Sequence, residues 1–488
     1  MTTLESLNPA TGEVVARYPV DGEATVRDAV RHARDAALWW AGLDFAGRAE
    51  RLKAWKRTIV RRMDELARLM REETGKPFDD ARLEIVAAVE HLHWAATHAR
   101  KVLGPARVSP GPLGLNLAAS VEYRPLGVVG VIGPWNYPVL TPMGSIAYAL
   151  AAGNAVVFKP SEYSTAVGVW LGRTFAEAVP EEPVLQIVTG FGDTGAALCR
   201  GGVAKLAFTG SPGTGRRVMA ACAETLTPVV IEGGGKDAAI VAADADVDAA
   251  AEAIAFGAMG NAGQTCVGIE RAYVVEAAYD RFVERLSHIA SGIRVGSGDG
   301  DQIGPMTMPG QPDVVRRHIE DAIKHGGRAV VGGPESVRGP FVAPVVLVDV
   351  PEDSEAVTDE TFGPTITVKK VRDVDEAIEL ANAGRYGLGS AVFSRSRETA
   401  MDVARRIRSG MTSINSVQSF AMVAALPFGG SGDSGFGRIH GPDGLREFSQ
   451  PKAIARQRFK PLANLLTFDR SDKDMATTLK LIRFRHGR

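Results

Sequence analysis

Residues 127–162 read GVVGVIGPWNYPVLTPMGSIAYALAAGNAVVFKPSE, and from Pro125 to Phe158 the chain carries no charge. Such a run is long enough to cross a bilayer. Pro125, Pro134, Pro138 and Pro142 interrupt it, as do Gly127, Gly130, Gly133, Gly144 and Gly153. Breakers at that density favour a buried strand, a turn and a buried helix over a membrane span. Strands over Gly127–Ile132 and Ala155–Phe158 then flank a helix near 139–152. That βαβ unit predicts a parallel sheet.

Downstream, the same alternation continues. Strands are expected at Val184–Val188, Lys205–Phe208 and Pro228–Ile231, with helices near 164–178, 193–200 and 213–223. A second series places strands at Ala238–Val241, Arg271–Val275, Ala329–Val331, Thr365–Val371, Ser390–Phe393 and Met411–Ile414. Helices near 246–259, 277–290, 312–325, 373–383 and 397–408 separate them. Two α/β domains meeting near residue 233 are therefore predicted. Upstream, 23–98 reads as helical, with Leu52, Trp55, Ile59, Met63, Leu66 and Met70 at three- and four-residue steps. Thr74-Gly75-Lys76-Pro77 supplies a helix stop. The Pro- and Gly-rich segment 104–124 is too short for a domain and reads as a projecting hairpin.

Composition sets outer limits. The 488 residues carry 56 Lys+Arg against 57 Asp+Glu, so no basic nucleic-acid footprint is present. Three cysteines, Cys199, Cys222 and Cys266, exclude a disulfide scaffold and lack zinc-site spacing. So few thiols point to a reducing compartment, and the N-terminus lacks a basic segment followed by an apolar one, as a secretory signal requires. A soluble cytoplasmic protein is expected.

Several stretches carry candidate chemistry. Gly190-Phe191-Gly192-Asp193-Thr194-Gly195 matches G-x-G-x-x-G after a strand, yet no acidic residue lies near Gly210, where a dinucleotide fingerprint wants one. A plain tight turn is the alternative. Lys159-Pro160-Ser161-Glu162 ends a buried strand with a cation and an anion that could hold a ribose, or that could form a strand-end ion pair. Phe208-Thr209-Gly210-Ser211-Pro212 leads from a strand into a helix whose first N–H groups suit a pyrophosphate. In Asn261-Ala262-Gly263-Gln264-Thr265-Cys266 the cysteine is a candidate nucleophile or a small core residue. Glu232 ends a strand beside Gly233, Gly234 and Gly235, where desolvation suits a general base and a turn-capping acid is the rival. Asn136, in a proline-pinned turn, could stabilise an oxyanion or merely form the turn.

In order, the chain reads PWNYP (134–138), KPSE (159–162), FTGS (208–211), EGGGK (232–236), NAGQTC (261–266), ETFGP (360–364) and PFGG (427–430). Seven such motifs at compatible spacings resemble the aldehyde dehydrogenase superfamily over about residues 5–460. The resemblance implies an α/β fold with a Rossmann-like parallel-sheet cofactor domain (1–103 and 125–232). It implies an α/β catalytic domain (233–440), a small β oligomerisation element (104–124 and 441–460) and, beyond these, a basic tail at 461–488. It implies NAD(P)-dependent oxidation of an aldehyde to a carboxylic acid. Cys266 would attack to give a thiohemiacetal and then a thioester, Asn136 and the Cys266 N–H would hold the oxyanion, and Glu232 would activate the hydrolytic water. Lys159 and Glu162 would bind the adenine ribose, Ser211 the pyrophosphate, and Glu360 and Phe362 the nicotinamide end. Trp135, Ser161, Gly192, Gly195, Thr209, Gly210 and Gly233 complete the implied cofactor site. NAD is expected, with NADP possible, because Glu162 should repel a 2′-phosphate. No metal is implied, and the Gly190–Gly195 turn falls toward the adenine side.

Two positions depart from the family pattern. Gly233 stands where leucine is usual, which predicts rotational freedom for Glu232 and slower deacylation. Gly432 stands where lysine is common, which predicts a mobile loop after PFGG. The expected tunnel lining is Met143, Met259, Val267, Phe420, Met422, Val423 and Leu426. Since Ser416–Leu426 holds no Arg or Lys, an uncharged aliphatic or aromatic aldehyde is expected, with a semialdehyde acid as the alternative. Coenzyme-A acylation is disfavoured by Glu232, and a non-catalytic homologue by the complete set of candidate groups. A homodimer or homotetramer is expected. Residues 460–488 hold seven basic and three acidic residues, with Met475, Leu479 and Ile482 on one helical face. That tail reads as a surface helix, a lid over a neighbouring tunnel, or a peripheral membrane contact.

Overall fold

A computed structural model describes residues 2–461, 463 and 465–487. In the first half, β1 (Val128–Ile132), β2 (Ala155–Lys159), β3 (Leu185–Ile187), β4 (Lys205–Thr209) and β5 (Val229–Glu232) are parallel neighbours in the order β3-β2-β1-β4-β5. The order reverses between β1 and β4, and ligands of open parallel sheets bind at such a switch point, beyond the carboxyl ends of the strands. Both sheet faces are covered, so these strands read as continuous apolar runs. Gly130 lies in β1 because a Cβ there would come within 2.7 Å of Leu206.

The uncharged run at 125–158 forms β1, the helix Leu140–Ala152 and β2. Residues 142–152 of that helix are all buried. Gly153 ends it at φ +102°. Among the described residues no helix is long and apolar enough to cross a membrane.

A second sheet follows, with strands β6 (Asp237–Val241), β7 (Ile269–Val275), β8 (Arg328–Val331), β9 (Val345–Val348), β10 (Thr365–Val371), β11 (Ser390–Phe393) and β12 (Ser413–Ile414). Its order is β8-β9-β10-β7-β6-β11-β12, and only β8 pairs antiparallel. The sequence reading omits β9, a central strand of this sheet, and also the N-terminal pair Thr3–Leu7 and Val14–Pro19. A further strand, β13 (Gly435–Phe436), pairs antiparallel with β5. Residues 435–436 therefore belong to the first sheet, although the motif order places them with the second.

Four helices, Glu23–Gly42, Phe45–Arg61, Met63–Thr74 and Phe78–Leu103, fill the 23–103 region. Gly75 caps the third at φ +73°. The 104–124 segment does form a hairpin, Ala106–Val108 against Leu117–Pro125, and Ser449–Gln457 adds a third, mostly exposed strand. At the end of the chain, Asp472–His486 is a helix with no buried residue, Ser471 capping its N-terminus.

Candidate active site

A groove of about 750 Å³ opens beyond the carboxyl ends of β1, β2, β4 and β5. Its walls include every expected cofactor position: Trp135, Lys159, Ser161, Glu162, Gly192, Gly195, Thr209, Gly210, Ser211, Gly233, Glu360 and Phe362. Lys159 Nζ lies 3.5 Å from Glu162 Oε2. Burial holds the lysine below its usual range, and the Glu162 charge partly restores it. Ser211 Oγ accepts from Thr214 N at 3.3 Å and caps the helix Pro212–Ala223, whose N-terminus faces the groove. A Cβ at Gly192 or Gly213 would meet nothing within 4 Å. These open backbone positions fit a phosphate-bearing ligand approaching the helix ends. Gly190–Gly195 begins the helix Gly192–Arg200 at the groove's edge. Cys199 and Cys222 are buried in neighbouring helices, Cys199 at the groove wall.

Cys266 lies where this groove meets a second cavity of about 240 Å³, which also contains Glu232. Asn261, Ala262 and Gly263 hold three successive positive φ values, +54°, +55° and +71°, to present it. Only glycine fits at 263, since a Cβ would meet the Gly363 carbonyl at 2.0 Å. Burial, then the Glu232 charge, pushes the Cys266 thiol well above its ordinary value. Burial likewise raises Glu232 to about 7, tempered by the Cys266 and Thr209 side chains. Thr209 Oγ1 donates to Glu232 Oε2 at 3.4 Å, while Oε1 has no hydrogen-bond partner. A carboxyl left this poorly solvated is suited to taking a proton near neutrality.

The buried Asn136 carboxamide donates to the Gln264 carbonyl at 3.0 Å. Its own backbone carbonyl accepts from Asn261 Nδ2 at 3.1 Å and from Lys76 Nζ at 2.9 Å. Lys76 pairs with Glu84, and both are buried. Glu84 in turn accepts from Val139 N at 2.8 Å and Leu140 N at 3.0 Å, fixing the turn that carries Asn136. A similar buried pair, Lys236 with Glu270, holds the 360–364 segment. Glu270 accepts from Thr361 N at 2.8 Å and Phe362 N at 2.9 Å. Phe362 packs edge-on to Trp135, centroids 5.5 Å apart. Glu360 accepts from Gly235 N at 2.8 Å and is pushed up to about 8, first by burial and then by Glu270. Sequence reasoning missed Lys76, Glu84, Lys236 and Glu270 as supports. Lys236 sits inside a quoted motif, and the buried pairing of the others has no local signal.

The loop after PFGG is anchored rather than loose. Asp433 N donates to Arg385 O at 3.0 Å, and its carboxylate meets Arg216 at 2.9 Å and Arg385 at 3.3 Å. Gly387 N donates to Ser434 Oγ at 3.0 Å. Gly432 adopts φ +63°, and a Cβ there would meet the Arg385 carbonyl at 2.5 Å. Glycine is thus the residue that lets this loop dock, which corrects the expectation of mobility.

Of the expected tunnel residues, only Val267 and Met422 line the smaller cavity. Met143 and Phe420 point into the core, Met259 borders a separate outer groove, and Val423 and Leu426 are exposed. Leu83, Leu140, Tyr137, Phe256, Phe428 and Ile439 form much of the apolar wall instead.

A groove at the switch point of a parallel sheet, meeting an apolar cavity at one cysteine, fits a dinucleotide-dependent oxidoreductase. The aldehyde dehydrogenase family model matches residues 1–454, and the chain belongs to that family. It is 38% identical over 453 residues to 4,4'-diapolycopene aldehyde oxidase of a Methylomonas species, covering 92% of this chain and 85% of that protein. It is 35% identical to glutarate-semialdehyde dehydrogenase of Pseudomonas aeruginosa, covering 93% and 94%. Among solved structures, an NAD-dependent aldehyde dehydrogenase from Sinorhizobium meliloti superposes with a TM-score of 0.90 at 35% identity, covering 95% and 93%. An NADP-dependent enzyme of E. coli gives 0.89 at 32% identity, covering 93% and 95%. This chain is an NAD(P)-dependent aldehyde-oxidising enzyme of that fold.

Proposed function

We propose that the chain oxidises uncharged aliphatic or aromatic aldehydes to carboxylic acids, with Cys266 as nucleophile. The observation that carries this reading is that Cys266 alone joins an apolar cavity containing Glu232 to the cofactor groove. The Cys266 thiol gives up its proton to water, and Sγ adds to the aldehyde carbon. The developing oxyanion is held by Asn136 Nδ2 and the Cys266 N–H. NAD(P), held by Lys159, Glu162, Ser211, Glu360 and Phe362, supplies the hydride acceptor when bound. Loss of hydride from the same carbon leaves a thioester; Glu232 then removes a proton from the water that attacks it and passes that proton to Sγ, releasing the acid and the thiol.

The cavity's charges support an uncharged substrate. Lys76, its cationic wall residue, is already paired with Glu84. Asp80 adds a carboxylate at the same wall, pushed up by burial and pulled back by Lys76. A carboxylate carried by the substrate would meet that acid and no unpaired cation of the cavity wall. This ranks a semialdehyde acid second. NAD is preferred over NADP because Glu162, on the groove wall, would repel a 2′-phosphate; a titration with NADP bound tenfold tighter would overturn that preference.

We assign 1–103 and 125–232 to cofactor binding and 233–440, apart from β13, to catalysis. Residues 104–124 and 441–460 are assigned to a homodimer or homotetramer contact, because the strand Ser449–Gln457 leaves its side chains exposed; light scattering tests that assignment. Unpaired Cys199 and Cys222 suit the cytoplasm. The decisive assay is NADH formation over an aldehyde panel, with and without coenzyme A, beside Cys266→Ala. Turnover is expected to need no coenzyme A and to vanish in the variant; turnover that survives it overturns the mechanism.

A further inference from the structure

The cavity that holds Cys266 and Glu232 has a buried end and an exposed one. Glu232, Asn261 and Thr265 are buried, whereas Leu83, Phe256 and Met422 of the same wall are 58%, 59% and 56% exposed. An aldehyde carbon placed at Cys266 sits at the buried end, so the rest of the substrate extends toward these three side chains. Single exposed apolar residues are ordinary on a protein surface. Three large ones gathered at the mouth of one cavity mark a binding surface.

The backbone beneath this rim is held in place. Leu83 stands in the helix Phe78–Leu103, and Phe256 in the helix Val247–Met259, which leads into the segment that presents Cys266. Met422 ends the short helix Ser419–Met422. His91, in the same helix as Leu83, meets the Ala421 carbonyl at 2.9 Å through Nε2, and Tyr148 Oη donates to the Ala424 carbonyl at 3.1 Å. The chain on both sides of Met422 is thus tied down while its side chain faces water. Val423 and Leu426, the next large apolar residues of that loop, are exposed as well. Apolar side chains fixed in water gain from whatever apolar group covers them, in proportion to the area withdrawn from water. An alkyl chain continuous with the reacting carbon is such a group. A polar tail would leave the rim uncovered, and Lys76, the cation of this cavity wall, is already paired with Glu84.

We propose that Leu83, Phe256 and Met422 form an outer apolar subsite that takes the far end of a long aliphatic chain, and so set a preference for aldehydes whose alkyl part outruns the buried cavity. The inference rests on the uncharged-aldehyde reading above and narrows it to long aliphatic chains without a polar tail.

The test measures kcat/KM for n-alkanals from butanal to dodecanal, each below its solubility limit. In the wild type each methylene is expected to raise kcat/KM by about two- to fourfold, the upper figure being full burial of the group. In the triple variant Leu83→Gln, Phe256→Gln, Met422→Gln, which keeps side-chain length and helix propensity, the rise should stop once the buried cavity is filled. The dodecanal-to-butanal ratio should then fall by about tenfold or more. A wild-type series that levels off where the variant's does, or a variant that keeps the wild-type ratio, overturns the proposal. A changed mass in light scattering with an unchanged ratio also overturns it, by showing that a second copy of the chain covers the rim. The shift in Tm caused by n-alkanamides, neutral analogues of the acid product, gives a measure that needs no turnover: it should grow with chain length in the wild type and flatten in the variant. If no aldehyde is oxidised, the functional reading fails, while the amide series still decides whether the rim binds an alkyl chain.

Discussion

Gly233 N donates to the Ser434 carbonyl at 3.0 Å, and Ser434 Oγ returns a bond to the Gly234 carbonyl at 2.7 Å. The two peptides that follow Glu232 are thereby held by a turn 200 residues away in the chain. A Cβ at Gly233 would lie 2.5 Å from the Asp433 carbonyl. Gly233 and the docked loop are therefore one adaptation, and the missing side chain restrains the strand end instead of freeing it.

Gly233→Leu should cost about 1–3 kcal/mol in urea denaturation, the range for overpacking a filled site. Unchanged stability would show that the 432–434 turn yields easily.

Glu232 makes activity depend on pH. With its carboxyl raised to about 7, the base form appears as pH rises through that value, so the hydrolytic rate should climb with an apparent pKa near it. The stability effect has the opposite direction. A raised acid holds its proton more tightly when folded, so its contribution is complete below the ordinary carboxylate range and is lost as pH rises through about 7. Glu232→Gln should abolish the rising limb and leave an NADH burst with little turnover. It should also gain stability over wild type at alkaline pH. A limb that persists in the variant assigns the titration to another group.

Asn136→Ala should lower kcat by about 100- to 1,000-fold, as expected for loss of one oxyanion donor. Cofactor affinity, measured by fluorescence quenching, separates this from a collapsed site. A loss below fivefold would remove Asn136 from the oxyanion.

Lys76→Met leaves Glu84 buried without its partner. Breaking such a pair costs about 3–5 kcal/mol. Restoring Tm with Glu84→Gln in the double variant would identify the unpaired charge as the cause. No recovery would instead place the loss in the Asn136 turn.

The alternation around Gly127–Glu162 made the first sheet legible because its strands are apolar and its connections short. Val345–Val348 escaped because an apolar run after Pro344, with no alternation and no following helix pattern, looks like loop. The reacting groups were legible in their motifs, whose strand-end and helix-start positions impose local residue types. Their supports were not. Lys236 and Glu270 stand 34 positions apart, and only the fold shows that both are buried. The substrate cavity was hardest to read, since Met143 and Phe420 are as apolar as the residues that do face it, and sidedness there depends on packing between distant segments.

Asn136 belongs to the turn after β1, while Asn261 and Gln264 precede β7 of the other sheet, and two hydrogen bonds tie them together. The turn carrying Asn136 and the segment carrying Cys266 are consequently held to each other directly. The contact that joins the two halves of the molecule here is therefore also the one that sets the distance between the proposed reacting groups.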